Sequence, residues 1–213
     1  MSDERPLMVR LGRRFARIAT DAVVRRPTLW RLFRRPLRYQ FEQLAPRWDT
    51  MRGPDHLAAY EAALSEVEAP RKALDLGTGT GDGAFAMARR FPDTDVIGVD
   101  LAPAMIEAAR SKIPSELAGR VHFQQGDASR LPYDEASFEL VGLANMIPFF
   151  DELSRVLAPG GSAVFGFSSG SETPIYVSPE RLRSELEPRG FTEFAEFFAG
   201  EGTALLARKG KRD

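Results

Sequence analysis

Residues 73–81 read Ala73-Leu74-Asp75-Leu76-Gly77-Thr78-Gly79-Thr80-Gly81 and decide the fold. The apolar start of this stretch predicts a buried strand, and the glycines after it lead into a helical stretch that begins near Phe85. Glycines adopt positive φ and let a ligand approach the backbone closely, while the N–H groups of a following helix face the loop. The stretch therefore predicts a ligand site at a strand end. Taken alone it also fits a dinucleotide fingerprint or a plain tight turn.

Short apolar runs alternate with helical stretches on both sides of this loop. The repetition predicts right-handed strand–helix–strand crossovers, and hence a parallel sheet between two layers of helices. The expected strands are 73–76, 96–100, 121–125, 138–143 and 162–167, and the expected helices between them are 85–90, 103–111 and 151–157.

The C-terminal part departs from this rhythm. A helix over 179–189 is expected to end at Gly190, and two strand-like runs follow, 191–198 and 203–207. Their short connection cannot hold a crossover helix, so they should form an antiparallel hairpin. The expected fold class is α/β: a Rossmann-like, doubly wound, seven-stranded sheet, mostly parallel with an antiparallel C-terminal hairpin, plus an N-terminal helical cap. We place the cap in residues 1–68 and the main domain in residues 69–213.

The amino-acid composition excludes several kinds of functional site. The chain has 213 residues, a formal net charge of -1, no cysteine and two histidines. Disulfides, thiolate nucleophiles and cysteine-ligated metals are therefore excluded, and no metal site is expected. No stretch approaches the roughly 20 apolar residues of a membrane span, and no apolar run follows the N-terminal arginines as in a secretory signal. We expect a cytoplasmic protein.

The first forty residues read as two helices. Apolar residues recur with the period of a helix that Pro27 ends, and arginines occupy its other face. Thr28 is expected to cap a second, shorter helix that reaches Pro36. The apolar positions of the first helix are Met8, Leu11, Phe15, Ile18, Ala19, Ala22 and Val23.

The charge is concentrated in the same forty residues. They contain eleven arginines against Asp3, Glu4 and Asp21, which gives +8 and leaves -9 for the rest of the chain. Three interpretations of residues 5–38 follow. The helices pack on their own acidic domain or in a dimer, they contact an anionic membrane peripherally, or they bind nucleic acid, which we favour least.

Two aspartates indicate which ligand the glycine loop binds. Asp75 precedes the glycines, where a carboxylate would repel a pyrophosphate but suits a ligand that carries ammonium and sulfonium charges. Asp100 ends the second strand, where its two oxygens can accept hydrogen bonds from both hydroxyls of a ribose. The structural alternative for Asp100 is a cap for the helix that begins at Pro103.

Four ordered motifs resemble the class I S-adenosylmethionine-dependent methyltransferases, especially the branch that includes quinone-biosynthesis C-methyltransferases. They are the glycine stretch at 73–81, Gly98-Val99-Asp100-Leu101-Ala102-Pro103-Ala104-Met105, Gly126-Asp127-Ala128 with its following segments, and Arg155-Val156-Leu157-Ala158-Pro159-Gly160-Gly161. The resemblance implies S-adenosylmethionine as cosubstrate.

It also implies cosubstrate-binding roles. The glycine loop, Gly77, Gly79 and Gly81, would pass under the methionine part, with Asp75 near its amino group. Asp100 would hold the ribose. The adenine would rest on Leu101 and Met105, donate its amino group to Asp127 and accept from the Ala128 N–H. The alternative for Asp127 is a side chain that stabilises its own turn.

The sequence indicates the residues that would contact the methyl acceptor less clearly. The family usually has a helix in the loop after strand four, but here Asn145-Met146-Ile147-Pro148-Phe149-Phe150 runs almost directly into the next helix. This shortening predicts an open site or one completed by residues 1–60. Tyr39, Asp49 and His56 are the catalytic candidates of the cap, and Asn145 is a further candidate. His56 is either a general base or a solvated side chain without a catalytic role. Trp48 could shield the cosubstrate, and Asn145 is interpreted as a cosubstrate-contacting loop residue.

The resulting hypothesis is methyl transfer from S-adenosylmethionine to a small-molecule acceptor, with a lipophilic compound as one option. Two alternatives stay open: an NAD(P)-dependent oxidoreductase, and a non-catalytic cofactor-binding module with a membrane- or nucleic-acid-binding arm. The sequence does not distinguish a monomer from a homodimer.

Overall fold

A computed structural model describes residues 7–211, with side chains from Arg10 onward. Seven strands form one sheet in the order β3-β2-β1-β4-β5-β7-β6, which confirms the predicted fold class. All pairs from β3 to β5 are parallel, and β7 is antiparallel to both β5 and β6. The strands are β1 Lys72–Leu76, β2 Asp95–Asp100, β3 Val121–Gln125, β4 Phe138–Ala144, β5 Leu157–Phe167, β6 Phe191–Ala199 and β7 Gly202–Lys209.

Helices cover both faces of this sheet, so the core is split into two large clusters, and a small third cluster contains Ala45, Ala102 and Met105. The helices α3, α4 and α5 bury apolar side chains on one face, and α6 and α7 do so on the other, together with α1 and α2. The helices are α1 Leu7–Arg25, α2 Trp30–Leu44, α3 Ala58–Ser65, α4 Asp82–Arg90, α5 Pro103–Ser111, α6 Phe150–Val156 and α7 Pro179–Leu186.

Most predicted elements are found within one or two residues of their expected bounds. The C-terminal hairpin is present, and Gly190 ends the preceding turn with a φ of 85°. Strand β5 differs, because it already begins at Leu157 rather than after the glycines at 160 and 161. Its pairing with β4 is irregular there, between Phe138 and Leu140, which accommodates the extra residues.

The second N-terminal helix is longer than predicted. We expected it to end at Pro36, but α2 continues to Leu44 with Pro36 inside it. A proline inside a helix removes one N–H and leaves the carbonyl four residues earlier, that of Leu32, without its usual donor. Both residues lie on the exposed side of the helix, where water can bond to that carbonyl. This position makes the proline tolerable.

The buried stripe of α1 is also narrower than predicted. Ala16, Ala19 and Val23 are buried on the domain, as the helical period indicated. Leu11 and Ile18, predicted on the same face, are each 52% exposed. Small side chains form the contact face here, and the larger apolar residues at its edge stay in solvent. Arg5 and Pro6, at the start of the predicted basic segment, lie outside the described residues.

The two N-terminal helices pack side by side and are tied to the domain. The rings of Phe15 and Phe33 lie 5.9 Å apart between the helices. On the domain side, the Arg13 guanidinium donates to the Glu172 carbonyl at 2.8 Å. Arg17 donates to the carbonyls of Ser171 and Thr173, at 2.6 and 2.7 Å. Some of the N-terminal arginines therefore fasten α1 to the loop after β5.

Within residues 7–211, no helix combines the length and the apolar character that crossing a bilayer requires.

Candidate functional site

A cavity lies at the carboxyl ends of the central strands, where the strand order reverses between β1 and β4. In open α/β sheets, ligands bind at such a reversal because the loops on its two sides diverge. The helix α2 and the segment after it cover the cavity. Its lining is formed by Trp30, Leu37, Phe41, Trp48, Arg52, His56, Leu57, Asp75, Gly77, Thr78, Gly79, Asp82, Gly83, Val99, Asp100, Leu101, Met105, Gly126, Ala128, Ala144, Asn145, Met146, Ile147 and Ile175.

The glycine loop forms the floor of this cavity. Gly77 and Gly79 have φ values of 66° and 54°, in the left-handed region that favours glycine. A Cβ at Gly77 would lie 2.6 Å from the Met146 sulfur, and one at Gly79 would lie 3.2 Å from Trp48 Nε1. The two glycines therefore serve both the turn and a close approach. Gly81 precedes α4 and packs against Phe85 instead.

Asp75 is buried beside the loop and faces the start of α4. It accepts a hydrogen bond from the Thr78 hydroxyl at 2.6 Å and another from the Ala84 N–H. Burial raises the pKa of its carboxyl to about 7, against the lowering effect of these bonds; the nearby Asp100 and Asp82 raise it further. The site thus holds a carboxyl group whose ionised form gains from any positive charge placed beside it.

Asp100 holds two turns together at the end of β2. One carboxylate oxygen accepts from the Gly79 N–H at 2.9 Å, and the other accepts from the Ala102 N–H at 2.8 Å. Burial raises the pKa of this carboxyl, and the backbone donors oppose that rise. The helix cap that we considered as the alternative is not formed, because Ala102 occupies the cap position of α5 without a side-chain cap bond and Asp100 bonds to the N–H of Ala102 itself. Each oxygen keeps acceptor capacity for a further donor, and Leu101 and Met105 line the cavity next to it.

Asp127 contacts α2 as well as its own turn. Its carboxylate accepts from the N–H and the hydroxyl of Ser129 at 2.9 and 2.7 Å, as in the turn-stabilising alternative. It also accepts from Trp30 Nε1 at 2.9 Å and from Arg34 at 3.2 Å. Although partial burial raises the pKa of Asp127, these donors outweigh that effect and lower it. Its neighbour Ala128 lines the cavity.

A network of charged side chains lies at the end of the cavity where α4 begins. The Arg52 guanidinium contacts Asp82 at 2.9 Å and donates to the Thr80 hydroxyl at 2.8 Å. Lys112 lies 2.7 Å from Asp49. Partial burial raises the pKa of Asp49, but hydrogen bonds from Lys112, Thr80 and Arg52 lower it to about 2. Asp49 is therefore a charged partner of two cations.

The Nε atom of Arg52 is buried and has no hydrogen-bond partner in the structure. Arg52 lines the cavity, and its side chain is 15% exposed. A buried donor without an acceptor is rare in a folded protein. This atom therefore marks a place where a ligand could supply the missing acceptor.

The two other catalytic candidates of the cap lie in different surroundings. His56 lines the cavity, but its Nδ1 is 2.8 Å from the Gly53 carbonyl and its Nε2 is 3.3 Å from Asp82. The Nδ1 atom thus has a carbonyl partner, whereas the buried Nε2 lies near the Asp82 carboxylate but makes no hydrogen bond to it. Tyr39 is 64% exposed on the outer side of α2, and the fold does not bring it to the cavity.

Asn145 ends β4 in a strained conformation. Its φ is 54°, which costs a residue with a side chain free energy. The conformation is held because the Asn145 N–H donates to the Gly166 carbonyl at 2.8 Å and its side-chain oxygen accepts from the Ser168 N–H at 2.9 Å. Asn145 thereby places Met146 over the glycine loop. The side chain fixes the loop geometry, and the residue lines the cavity as expected.

Several cavity residues were missed in the sequence. Trp30, Arg52 and Asp82 line the cavity, whereas Thr80 and Lys112 belong to the charged network beside it, and all five come from separate segments that meet only in the fold. The spacing of Asp49 and Arg52, three residues apart, was a weak signal of their ion pair. Trp48, expected to shield the cosubstrate, does line the cavity, with its ring 5.6 Å from Phe41. Among residues 7–211, no three acidic or histidine side chains are grouped closely enough to hold a metal ion.

Comparisons with known proteins agree with this geometry. Residues 73–161 match a family model described as a methyltransferase domain. A demethylmenaquinone methyltransferase of Deinococcus radiodurans is 37% identical over 140 residues, which cover 58% of this chain and 56% of that protein. A trans-aconitate 2-methyltransferase of Methylobacterium radiotolerans is 41% identical over 108 residues, which cover 49% of this chain and 40% of that protein. The chain thus matches less than two thirds of the length of these relatives.

A solved structure agrees at the level of the fold. The SAM-dependent methyltransferase from Aquifex aeolicus superposes with a TM-score of 0.64 at 17% identity, over 78% of this chain and 98% of that one.

Proposed function

We propose that the chain contains a class I S-adenosylmethionine-dependent methyltransferase domain, which transfers a methyl group from S-adenosylmethionine to a small-molecule acceptor and releases S-adenosylhomocysteine. The observation that carries the proposal is the glycine loop between two carboxyl groups at the strand-order reversal, the buried one of Asp75 and the partly exposed one of Asp100. The two carboxyl groups favour the binding of a cationic nucleoside. A dinucleotide would bring a pyrophosphate to the same carboxyl groups and would be repelled.

The cavity residues fit the parts of S-adenosylmethionine in order along the sheet edge. Asp75 faces the cationic methionine part across the glycine loop, and Asp100 has acceptor capacity for the ribose hydroxyls. Leu101 and Met105 offer an apolar surface to the adenine. Ala128 lies at the adenine end, where its backbone N–H is proposed to meet the ring.

Arg52 is proposed to bind the carboxylate of the methionine part. Its Nε is a buried donor without an acceptor, and a carboxylate is the acceptor that a guanidinium prefers. Asp49, Asp82 and Thr80 already hold the Nη2 group of the guanidinium in place. Arg52 is thus oriented before the ligand arrives, which lowers the entropy cost of binding.

The chemistry that the bound cosubstrate supplies is a methyl group already activated by the positive sulfur. The nucleophilic atom of the acceptor forms a bond to the methyl carbon, and the sulfur–methyl bond breaks with its electron pair left on sulfur. The protein residues hold the two reactants in line and exclude water. Trp30, Phe41 and Trp48 cover the cavity and are proposed to provide that exclusion.

The acceptor is proposed to be apolar and to carry its own acidic or anionic nucleophile. Beyond the charged network, the cavity walls are apolar, with Leu37, Met146, Ile147 and Ile175 between the sheet and α2. Each ionisable residue in the described lining has at least one protein partner, and His56 is held by the Gly53 carbonyl at its Nδ1 and lies next to the Asp82 carboxylate, although its Nε2 makes no hydrogen bond. An acceptor that needs a strong side-chain base does not fit this environment, whereas an acidic phenol or an activated carbon acid does.

Calorimetry tests the cosubstrate. We expect S-adenosylmethionine and S-adenosylhomocysteine to bind with micromolar affinity and NAD(P) not to bind. Arg52→Gln should weaken both ligands, while Arg89→Gln, on the exposed side of α4, should leave both unchanged. Binding of NAD(P) without binding of either nucleoside would favour the oxidoreductase alternative. Binding without methyl transfer to any acceptor would favour the non-catalytic module.

A two-part acceptor panel tests the substrate class. Demethylated quinols represent the apolar, acidic acceptors. Trans-aconitate represents the polar carboxylic acids, and it is the acceptor in the name of one relative. We expect transfer of labelled methyl to the quinols. An apolar acceptor of this kind dissolves in a bilayer, so we also propose that the protein contacts a membrane peripherally through its N-terminal segment. Exclusive methylation of the polar acid would contradict the assignment.

A further inference from the structure

The outer sides of α1 and α2 carry arginines that have no partner among the residues that the structure describes. Among the residues that the structure describes, Arg13, Arg17 and Arg34 bond to the domain, and Arg38 lies 3.4 Å from Glu42. The remaining arginines of these helices and their connection are exposed and make no ion pair or side-chain hydrogen bond; they are Arg10, Arg14, Arg25, Arg26, Arg31 and Arg35. The arginines are thus divided between inner anchors and an outer charged surface.

Large apolar side chains lie among these outer arginines. Leu11 and Ile18 are 52% exposed on α1, and Leu32 and Tyr39 are 63% and 64% exposed on α2. They follow the helical period on the sides opposite to the buried residues, for example Leu11, Arg14 and Ile18 on α1. Exposed leucines and isoleucines cost free energy in water, and their grouping here indicates a surface that is covered in use.

The two outer sides form one surface. The helices α1 and α2 pack against each other through Phe15 and Phe33, and each buries its other side on the domain. Their exposed sides therefore face away from the sheet together. Asp21 is the one acidic residue exposed on this side of α1 within the described chain. The surface is cationic, with apolar side chains between the charges.

We propose that this surface, made by Arg10, Arg14, Leu11, Ile18, Arg31, Leu32, Arg35 and Tyr39, docks on anionic phospholipid bilayers. Arginines would attract the negative headgroups, and the leucine and isoleucine side chains would enter the acyl boundary. A nucleic acid would use the charges but would leave the leucines in water. The docking deepens the membrane contact proposed above, and it places the cavity that α2 covers close to the bilayer.

Vesicle co-sedimentation of the full chain tests the docking. We expect binding to vesicles that contain phosphatidylglycerol and little binding to pure phosphatidylcholine, with the difference lost at high salt. The triple variant R14Q/R31Q/R35Q should bind on the order of a hundredfold more weakly, since each arginine near an anionic surface contributes about fivefold. The variant R89Q/R130Q/K211Q removes the same charge from exposed positions elsewhere and should bind like the unaltered protein.

A second variant separates the apolar contribution. L11S/I18S/L32S keeps every charge and should lower vesicle binding about tenfold or more, because exposed leucines no longer enter the bilayer. Its binding to duplex DNA, if any, should be unchanged. All variants change exposed residues, and unaltered thermal midpoints and S-adenosylhomocysteine affinity would show that they fold.

The outcomes distinguish the proposals. Equal binding of both charge variants, equal binding to the two lipids, or tighter binding to duplex DNA than to anionic vesicles would overturn the docking. Vesicle binding without methyl transfer would leave the docking intact and contradict the proposed function. Methyl transfer without vesicle binding would do the reverse.

Discussion

The buried carboxyl of Asp75 predicts an unusual dependence of stability on pH. Its pKa is raised by burial from 3.8 to about 7 in the folded chain, whereas the unfolded chain exposes it to water. At pH values between these two pKa values, Asp75 is therefore protonated in the folded chain and ionised in the unfolded chain. Stability is highest below the unfolded pKa and is lost as the pH rises through the folded pKa. The shift corresponds to about 4 kcal/mol in total, as an upper bound.

The measurable part lies between about pH 5 and pH 8, where we expect the unfolding free energy to fall by about 2–3 kcal/mol because of Asp75. Urea denaturation followed by circular dichroism at both pH values gives this difference. In Asp75→Asn the difference should disappear, because the amide does not titrate and keeps the size of the side chain. The variant should be more stable than the unaltered protein at the higher pH.

Asp49→Asn is the matched control. The pKa of Asp49 is lowered to about 2, so its titration lies below this window and the change between the two pH values should persist. An equal pH dependence in the unaltered protein and in Asp75→Asn would refute the burial argument. With the proposed cosubstrate, the same carboxyl should make binding tighten as the pH rises towards 8, since a cationic ligand favours the ionised form.

Three further predictions concern single side chains. Asp100→Asn should weaken S-adenosylhomocysteine binding at least tenfold, about 1.4 kcal/mol, by calorimetry; unchanged affinity would remove the ribose assignment. Asn145→Ala should cost about 2 kcal/mol of unfolding free energy through its φ of 54° and a lost hydrogen bond, and Asn145→Gly about 1 kcal/mol less; equal costs would show that no strain is stored there. Trp30→Phe keeps an aromatic ring of smaller size but removes the indole N–H donor to Asp127, so it should cost about 1–2 kcal/mol, with faster hydrogen exchange in α2; an unchanged exchange rate would mean that the contact does not hold the helix.

The sequence was sufficient for the parts of the fold that local patterns encode. The alternation of short apolar runs with helical stretches predicted the sheet and the hairpin, because strands and helices have different periods. The same reasoning misplaced the end of α2, since the cost of Pro36 depends on whether the carbonyl of Leu32 meets water. Local pattern does not contain that information.

The candidate site likewise contains residues that the sequence identified and residues that it did not. Asp75 and Asp100 were found because each sits beside a glycine loop or a strand end. The partners of Asp127 were not, since Trp30 is 97 residues away from it in the chain. Arg52 was missed for a similar reason: its significance lies in a buried Nε without an acceptor, which only the folded chain reveals.

The bond between Trp30 and Asp127 has a consequence for how this protein can be dissected. Removing the first forty residues would strip two donors from that carboxylate and uncover the apolar residues that α1 and α2 bury on the domain, such as Leu37. A truncated chain that failed to bind vesicles would then be ambiguous, because misfolding and the absence of a docking surface give the same result. Side-chain substitutions on the solvent side of these helices avoid this ambiguity, because they leave the buried contacts of α1 and α2 intact.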